Sequence, residues 1–355
     1  MQQKIVDLIT QRLNNIKLAN YEVKIANFIR SIETNAHNEM TVVRLQIPFY
    51  WYQLDILLQQ FFADVKVEFV IEHKIYTHFN ANKVKNISHI KNIIAVGSGK
   101  GGVGKSTIAT NLAIALHNLG AKVGLLDADI YGPSLPQMLH TTNIKPVITD
   151  NKLIEPIVAF ELPTISIGNL IEQNAAAIWR GPMASSALQQ LLFQTNWPKI
   201  DYLIIDLPPG TGDVQLTMAQ KIPVTGAIIV TTPQDVATID AIKAVTMFNK
   251  VNIDILGIVS NMSYFKCDNC DKQHFIFNDQ HTVDISNKFN NEIIAQLPLF
   301  PKVAHQADHG TPYMAIAKDC NEPLYEELMV LASKISYKLS LLPKNMQLPT
   351  AVVTK

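Results

Sequence analysis

Hydrophobic and polar positions along this chain follow two rhythms, and the change falls near residue 90. Before it, "IVDLITQRLNNI" (5–16) repeats its apolar residues at helical spacing and "TVVRLQIPF" (41–49) alternates. "WYQLDILLQQFF" (51–62) returns to helical spacing, and "VKVEFVIEHKIY" (65–76) alternates again. Alternation puts every second side chain on one face of a sheet, whereas a 3.6-residue repeat paints one stripe on a helix. Residues 1–80 therefore read as a small α+β domain of the order α-β-α-β. The polar string "NANKVKNISHIKN" has neither period and predicts a linker over 81–92.

Beyond it, short apolar runs alternate with helical stretches. "NIIAVGS" (92–98), "KVGLLDAD" (122–129), "DYLIIDLP" (201–208), "GAIIVTT" (226–232), "ILGIVSN" (255–261) and "EIIAQLP" (292–298) are apolar nearly throughout. Strands of a parallel sheet covered on both faces have that character. Between them run "KSTIATNLAIALHNL", ending at Gly120, then "ASSALQQLLFQT" and "VATIDAIKAVTMFNKV"; "EPLYEELMVLASKISYKLSLL" closes the series. The predicted fold class is α/β. A mostly parallel sheet with helices on both faces spans 93–340, and a tail follows over 341–355.

With 355 residues, 48% hydrophobic and 17% charged, there is ample material for a core. Thirty basic and thirty acidic residues cancel, which argues against a binder of nucleic-acid phosphates. No apolar run approaches the ~18 residues of a membrane span, and "MQQKIVDLIT" lacks the apolar centre of a signal peptide. The expectation is a cytoplasmic protein with neither nucleic acid nor membrane as partner. Cys267, Cys270 and Cys320 are too few for a disulfide scaffold, but the first two form C-x-x-C, a metal or redox spacing.

"GSGKGGVGKST" (97–107) packs five glycines and two lysines between a predicted strand and a predicted helix. Gly99–Ser106 fits G-x-x-x-x-G-K-[ST], the phosphate-binding loop of a P-loop NTPase. The amides of Gly99, Lys100, Gly101, Gly102, Val103 and Gly104 can close around an anion because glycines keep side chains out of the way. Lys105 is placed to neutralise the β- and γ-phosphates of ATP, the Ser106 hydroxyl to ligate Mg²⁺, and Thr107 to lie by the α-phosphate. Lys100 sits at the far end of the loop. With Lys105 already on its own phosphates, Lys100 can project outward to the nucleotide of a facing subunit and deliver a cation to the transition state.

Carboxylates stand at strand ends, where parallel strands face such a loop. "LLDADIYGPS" supplies Asp127 and Asp129, and "LIIDLPPGTGD" supplies Asp206, a Walker-B-type residue for Mg²⁺. "PPGTGD" (208–213) is a stiff, glycine-punctuated loop suited to sensing the γ-phosphate.

"GKGGVGKST" resembles the deviant Walker A motif of the MinD/ParA/nitrogenase-iron-protein group of dimeric ATPases. The resemblance implies that Lys100 acts in trans across a homodimer. It also implies that Asp127 lies on the magnesium side, that Asp129 positions the attacking water, and that Asn261 contacts adenine. Taken alone, a strand-end asparagine is as readily a turn residue, and Pro233 and Gln234 close a similar strand.

In "NMSYFKCDNCDKQHFIF", Cys267 and Cys270 offer two thiolates where tetrahedral zinc or a cubane cluster takes four ligands. Cys320 reads as incidental, at a helix end. Two such pairs meeting on a two-fold axis supply four sulfurs, and the same homodimer satisfies Lys100. The alternatives are zinc on Cys267, Cys270, His274 and one further ligand, or a redox pair. The redox reading is weaker because the cysteines do not open a helix after a strand.

In order, the deviant Walker A, "LLDADIYGPS", "IWRGPM", "DYLIIDLPPGTGD" and "NMSYFKCDNC" resemble the Mrp/ApbC family of P-loop ATPases over about residues 91–340. The resemblance implies a homodimer that binds a [4Fe–4S] cluster on Cys267 and Cys270 and transfers it to apo iron–sulfur proteins, exchanging with cluster scaffold proteins. Hydrolysis of ATP would rest on Lys100, Lys105 and Asp129, and Mg²⁺ on Ser106, Asp127 and Asp206. There are two departures. "NDQHT" stands where the family has a glycine-rich turn, and the N-terminal unit, similar to a small iron–sulfur assembly domain, has no cysteine, so an adaptor role is expected of it. A MinD/ParA-like positioning ATPase would want a membrane-seeking helix or basic patch. An electron-transfer reductase would want widely separated cluster cysteines. Trp179 and Arg180 read as a dimer contact or ordinary packing, and His305 and His309 as a solvated loop.

Overall fold

The structure is a computed structural model that describes residues 2–34, 40–80, 84–170, 181–267, 269–277, 286–287, 291–317 and 322–345. The chain divides into two units, Met1–Tyr76 and Thr77–Lys355.

In the first unit, α1 (Gln2–Asn14) buries Ile9 and Leu13, and β1 (Lys17–Leu18) pairs with β2 (Tyr21–Glu22). A three-stranded sheet follows: β3 (Ile29–Thr34) runs antiparallel to β4 (Thr41–Ile47), which runs parallel to β5 (Val67–His73). The helix α2 (Leu54–Phe61) makes the crossover that a parallel pair requires. In β4 the side chains of Thr41, Val43, Leu45 and Ile47 are buried while those between them are not, the alternation visible in the sequence. The expected α-β-α-β corresponds to α1, β4, α2 and β5. β3 escaped notice because "IRSIET" places two half-buried residues side by side and breaks the period.

The second unit is built on an eight-stranded sheet of order β15-β12-β11-β6-β10-β7-β9-β8. Its strands are β6 (Ile90–Gly97), β7 (Val123–Asp127), β8 (Ile157–Ala159), β9 (Leu162–Ser166), β10 (Ile200–Asp206), β11 (Gly226–Thr231), β12 (Ile255–Ser260) and β15 (Ile293–Gln296). All neighbours are parallel except β8 and β9. On one face Leu203 and Ile205 of β10 join a core with Leu188 and Leu192 of α5 (Gly181–Gln194), Met218 of α6 (Asp213–Lys221) and Phe248 of α7 (Asp235–Lys250). On the other lie α3 (Lys105–Asn118) and the closing helix Pro323–Ser340, whose Ser336 hydroxyl meets the Tyr202 hydroxyl of β10 at 2.9 Å. Every residue of β10 and β11 is buried, which is why those runs read as continuously apolar. At the outer edge, Lys334 Nζ donates to the Ile294 carbonyl of β15 at 2.8 Å.

Two boundaries differ from the sequence expectation. β6 begins at Ile90, inside the expected linker, and the chain before it is already part of the second unit. The Asn92 Oδ1 accepts from the His78 amide at 3.1 Å, Phe79 N–H donates to the Pro343 carbonyl at 3.0 Å, and Asn80 closes a turn on Val84. The polar residues there satisfy backbone groups. Second, β8 and β9 were not expected. Their connection puts Phe160 and Glu161 at φ 49° and 63°, a left-handed pair with neither the Gly nor the Asn that normally announces such a hairpin. Residues 346–355 of the expected tail lie outside the described residues.

β6 is central, with β10 on one side and β11 on the other. Connections leaving a central parallel strand to opposite sides open a crevice at the carboxyl ends, and the loop after β6 lies there.

Candidate functional site

That loop, Ser98–Gly104, is wedged between two elements. A Cβ on Gly99 would lie 2.1 Å from the backbone carbonyl of Asp240 on α7, so only glycine permits the approach. Gly104 has φ +85°, and a Cβ there would lie 2.3 Å from Asn261 Nδ2. That amide in turn donates to the Val103 carbonyl at 2.9 Å. α3 starts directly after, so its first-turn amides and dipole face the loop and favour an anion.

Lys105 is buried. Its Nζ lies 2.5 Å from Asp206 Oδ1, 3.3 Å from Ser106 Oγ and 3.9 Å from Asp129 Oδ2. The register of β7 against β10 sets Asp127 beside Asp206, both fully buried. Burial, then the neighbouring Asp206 charge, pushes the Asp127 carboxyl up to about 7. Burial also raises Asp206 and Asp129 above the usual carboxylate range, against the pull of Lys105. Asp206 Oδ2 and Asp129 Oδ1 are buried with no hydrogen-bond partner among the described residues. Asp127 differs: Oδ1 accepts from the Asp129 amide at 3.0 Å, and Oδ2 from the Leu135 amide at 3.2 Å and the Ser166 hydroxyl at 2.9 Å. It ties down the loop running from β7 to the short helix α4 (Leu135–Met138).

Lys100 stands apart from this cluster; its Nζ donates to Gln234 Oε1 at 3.2 Å, just ahead of α7. The loop after β10 is pinned to the phosphate loop, with Gly210 N–H donating to the Ser98 carbonyl at 3.0 Å and Gln215 Nε2 to the Pro209 carbonyl at 2.8 Å.

Beside the phosphate loop is a cavity of about 100 Å³ bordered by Gly104, Thr107, Asn261, Met262, Leu299 and Leu328. Met262, Leu299 and Leu328 give it an apolar wall. Asn261 borders it; Pro233 and Gln234 do not. The wall from Leu297 to Phe300 was missed, although "LPLFP", an apolar run cut by prolines just past the last strand, is a readable sign of chain leaving a sheet next to a site.

The cysteines lie on a different structure. β13 (Phe265–Lys266) pairs antiparallel with β14 (Gln273–His274), and the turn between them carries Cys267, half-buried, and Cys270, exposed. Cys267 N–H donates to the Lys272 carbonyl at 3.0 Å and Asp271 N–H to the Cys267 carbonyl at 2.9 Å, with Asp271 at φ 57°. His274 is exposed on β14. Among the described residues no three His, Cys, Asp or Glu side chains stand together so as to hold a metal ion. Cys320, Trp179 and Arg180 lie outside the described residues. His305 is not in a loop but in the helix Pro301–Asp308, which Pro301 starts at its first position, and its ring stacks on His309 at 4.1 Å. Among the described residues no helix is long and apolar enough to cross a membrane.

A family model described as NUBPL iron-transfer P-loop NTPase matches residues 89–336. The chain belongs to this family. The iron-sulfur cluster carrier protein of Haemophilus influenzae is 42% identical over 346 residues, which cover 95% of this chain and 92% of that protein. The Escherichia coli K12 protein of the same description is 44% identical over 317 residues, 83% and 86% of the two chains. Among solved structures, a nucleotide-binding protein from Archaeoglobus fulgidus in complex with ADP matches with a TM-score of 0.57 and 35% identity, over 67% of this chain and 92% of that one. The cell division ATPase MinD of Pyrococcus furiosus, at TM-score 0.50 and 22% identity over 69% and 98%, shares the fold. The family is one of P-loop NTPases, the α/β class expected from the strand pattern.

Proposed function

We propose that this chain is an ATP-dependent iron–sulfur cluster carrier. Two copies hold a [4Fe–4S] cluster between them on Cys267 and Cys270 of each, and pass it to apo-proteins in the cytoplasm. The observation that carries this reading is the pairing, within one unit, of an organised phosphate loop with a hairpin that offers two thiols and no further ligand among the described residues. A cubane takes four sulfurs, so a second copy completes the set. Relatives named as cluster carriers support the same reading.

The residues around Lys105 fit a divalent cation. The Ser106 hydroxyl and the unpartnered Asp206 Oδ2 and Asp129 Oδ1 converge on the loop and have the hard oxygen chemistry that Mg²⁺ takes. Bound there, the ion would neutralise phosphate charge. Lys105 has two alternative anionic partners, Asp206 and the phosphates, and its Nζ exchanges one for the other as nucleotide enters. Asp127 was expected on magnesium; with both oxygens engaged by the Asp129 and Leu135 amides and Ser166, its first task is to shape the loop that presents Asp129. Asp129, with an oxygen lacking a donor, is the group to orient the attacking water. Lys100, parked on Gln234 at the rim, is the cation offered to the facing subunit. Adenine sits against Asn261, Met262 and Leu299. The cysteine-free N-terminal unit serves as an adaptor for recipient or scaffold proteins, and neither nucleic acid nor membrane is a partner.

Anaerobic reconstitution with iron and sulfide tests this. The wild type gains visible charge-transfer absorbance with about four irons per dimer, and Cys267→Ala and Cys270→Ala do not. Absorbance that persists in both variants, or a chain that stays monomeric with nucleotide and cluster supplied, overturns the proposal.

A further inference from the structure

The stretch of chain leaving β12 borders the base-side cavity at Asn261 and Met262 and then enters the cysteine hairpin at Phe265. Past the ends of β12 and β15, whose last paired residues are Ser260 and Gln296, the pairing continues through irregular backbone. Leu297 N–H donates to the Ser260 carbonyl at 2.8 Å, Ser263 N–H to the Leu297 carbonyl at 2.8 Å, and Leu299 N–H to the Tyr264 carbonyl at 2.7 Å. Ser263 Oγ adds a bond to the Ser260 carbonyl at 2.8 Å. Between these rungs Met262 takes a left-handed conformation, φ 54°, which turns it to the cavity wall. Five residues separate Asn261, at the cavity, from Cys267, and two of them, Ser263 and Tyr264, are bonded through their backbone to Leu297 and Leu299.

Tyr264 is the last anchored residue before the hairpin. Its hydroxyl donates to Glu327 Oε1 on the closing helix at 3.1 Å, and its ring lies 6.3 Å from that of Phe275, which follows β14. Glu327 shares a helical turn with Leu324 and Leu328, both of which line the cavity. Its second oxygen, Oε2, is buried without a hydrogen-bond partner among the described residues, so Tyr264 is the hydroxyl that holds this carboxylate. One residue therefore bonds to the helix that walls the base site, directly precedes the strand that enters the cysteine turn and lies against the ring that follows the strand leaving it.

We propose that Tyr264 is a positioning residue that couples occupancy of the base-side cavity to the geometry of the Cys267–Cys270 turn. A ring seated against Met262, Leu299 and Leu328 moves the closing helix and the 261–264 segment together only while the hydroxyl–carboxylate bond joins them. With the bond cut, the cavity wall and the hairpin respond separately. Coupling of this kind travels through contiguous packed and hydrogen-bonded groups, and here each link is a named contact. Burial holds the Tyr264 phenol up at about 12, so it remains a neutral donor across the physiological range. The inference rests on reading the cavity as the nucleotide's base site.

The test uses the full-length chain without iron or cluster. Alkylation by N-ethylmaleimide is followed at each cysteine separately by mass spectrometry, with and without Mg·ATP, while calorimetry reports nucleotide binding. In the wild type the rate at Cys267 changes about fivefold or more on nucleotide binding, the scale of a typical coupling. In Tyr264→Phe nucleotide still binds but the rate no longer responds. Glu327→Gln, which keeps an oxygen acceptor, retains the response, and Glu327→Leu loses it. A Tyr264→Phe chain whose Cys267 still responds as the wild type does overturns the inference, as does a Glu327→Leu chain that responds. A wild type that binds nucleotide with no change at Cys267 overturns this inference alone. A wild type that binds no nucleotide overturns the base-site reading with it.

Discussion

Lys105 and the three aspartates around it are shut away from solvent, with Asp127 and Asp206 at the ends of inner strands of an eight-stranded sheet, and burial together with the neighbouring charge brings Asp127 up to about 7. Cys270 stands exposed on a turn whose flanking strands are two residues each. One region excludes water so that each charge acts at short range on the next, which is what stabilising a developing charge requires. The other leaves the Cys270 thiol open to solvent, as the exchange of cargo put forward above would require. The comparison teaches that one polypeptide can separate an immobile chemistry from an exchangeable one by the length of the strands supporting each.

The largest expected effect tests that separation in both directions. Lys105→Met lowers ATP hydrolysis by about 10²–10³-fold, the cost of losing one charge-stabilising donor, while reconstituted iron content stays at the wild-type level. Cys270→Ser does the reverse: iron is lost, phosphate release without cluster is kept, and the unfolding free energy from urea titration changes by less than about 0.5 kcal/mol, because the residue is exposed. If either variant damages both activities equally, the two regions are not separable.

A smaller effect concerns pH. The Asp127 carboxyl titrates at 3.8 when unfolded and at about 7 in the folded, nucleotide-free chain. Between those values the folded chain keeps a proton that the unfolded chain has released. The contribution of Asp127 to stability is therefore complete below 3.8, falls as pH rises, and is gone above about 7. Urea midpoints measured from pH 5 to 7.5 should decline, and Asp127→Asn should flatten the slope. An unchanged slope in that variant removes Asp127 as its source.

The smallest effect lies on the hairpin. Lys266 and Asp271 form an exposed ion pair at 2.8 Å. Lys266→Ala should cost no more than about 0.5 kcal/mol and leave iron loading intact. A larger loss in thermal melts would mean that the turn is more firmly built than its short strands indicate.

The contrast also explains what could be read from the sequence. The phosphate loop was legible because glycine is enforced there by contact: Gly99 against Asp240 and Gly104 against Asn261 leave no room for a Cβ. The aspartates were legible because buried strands isolate them at the ends of apolar runs. The Lys105–Asp206 contact, the Ser166 bond to Asp127 and the Tyr264–Glu327 link were not, because each joins residues tens of positions apart through side chains that carry no local pattern. The β8–β9 hairpin was missed for another reason: Phe160 and Glu161 take a left-handed conformation that their types disfavour. The supposed linker shows the opposite error, where polar composition hid side chains such as Asn80 and Asn92 that bond to backbone within the unit.

β15 ends the large sheet with a row of main-chain groups that could recruit a foreign strand. The ammonium of Lys334 occupies the Ile294 carbonyl in the middle of that row. An intruding segment would have to dislodge a half-buried cation from that carbonyl before pairing there, so the sheet is guarded against being lengthened by a foreign chain.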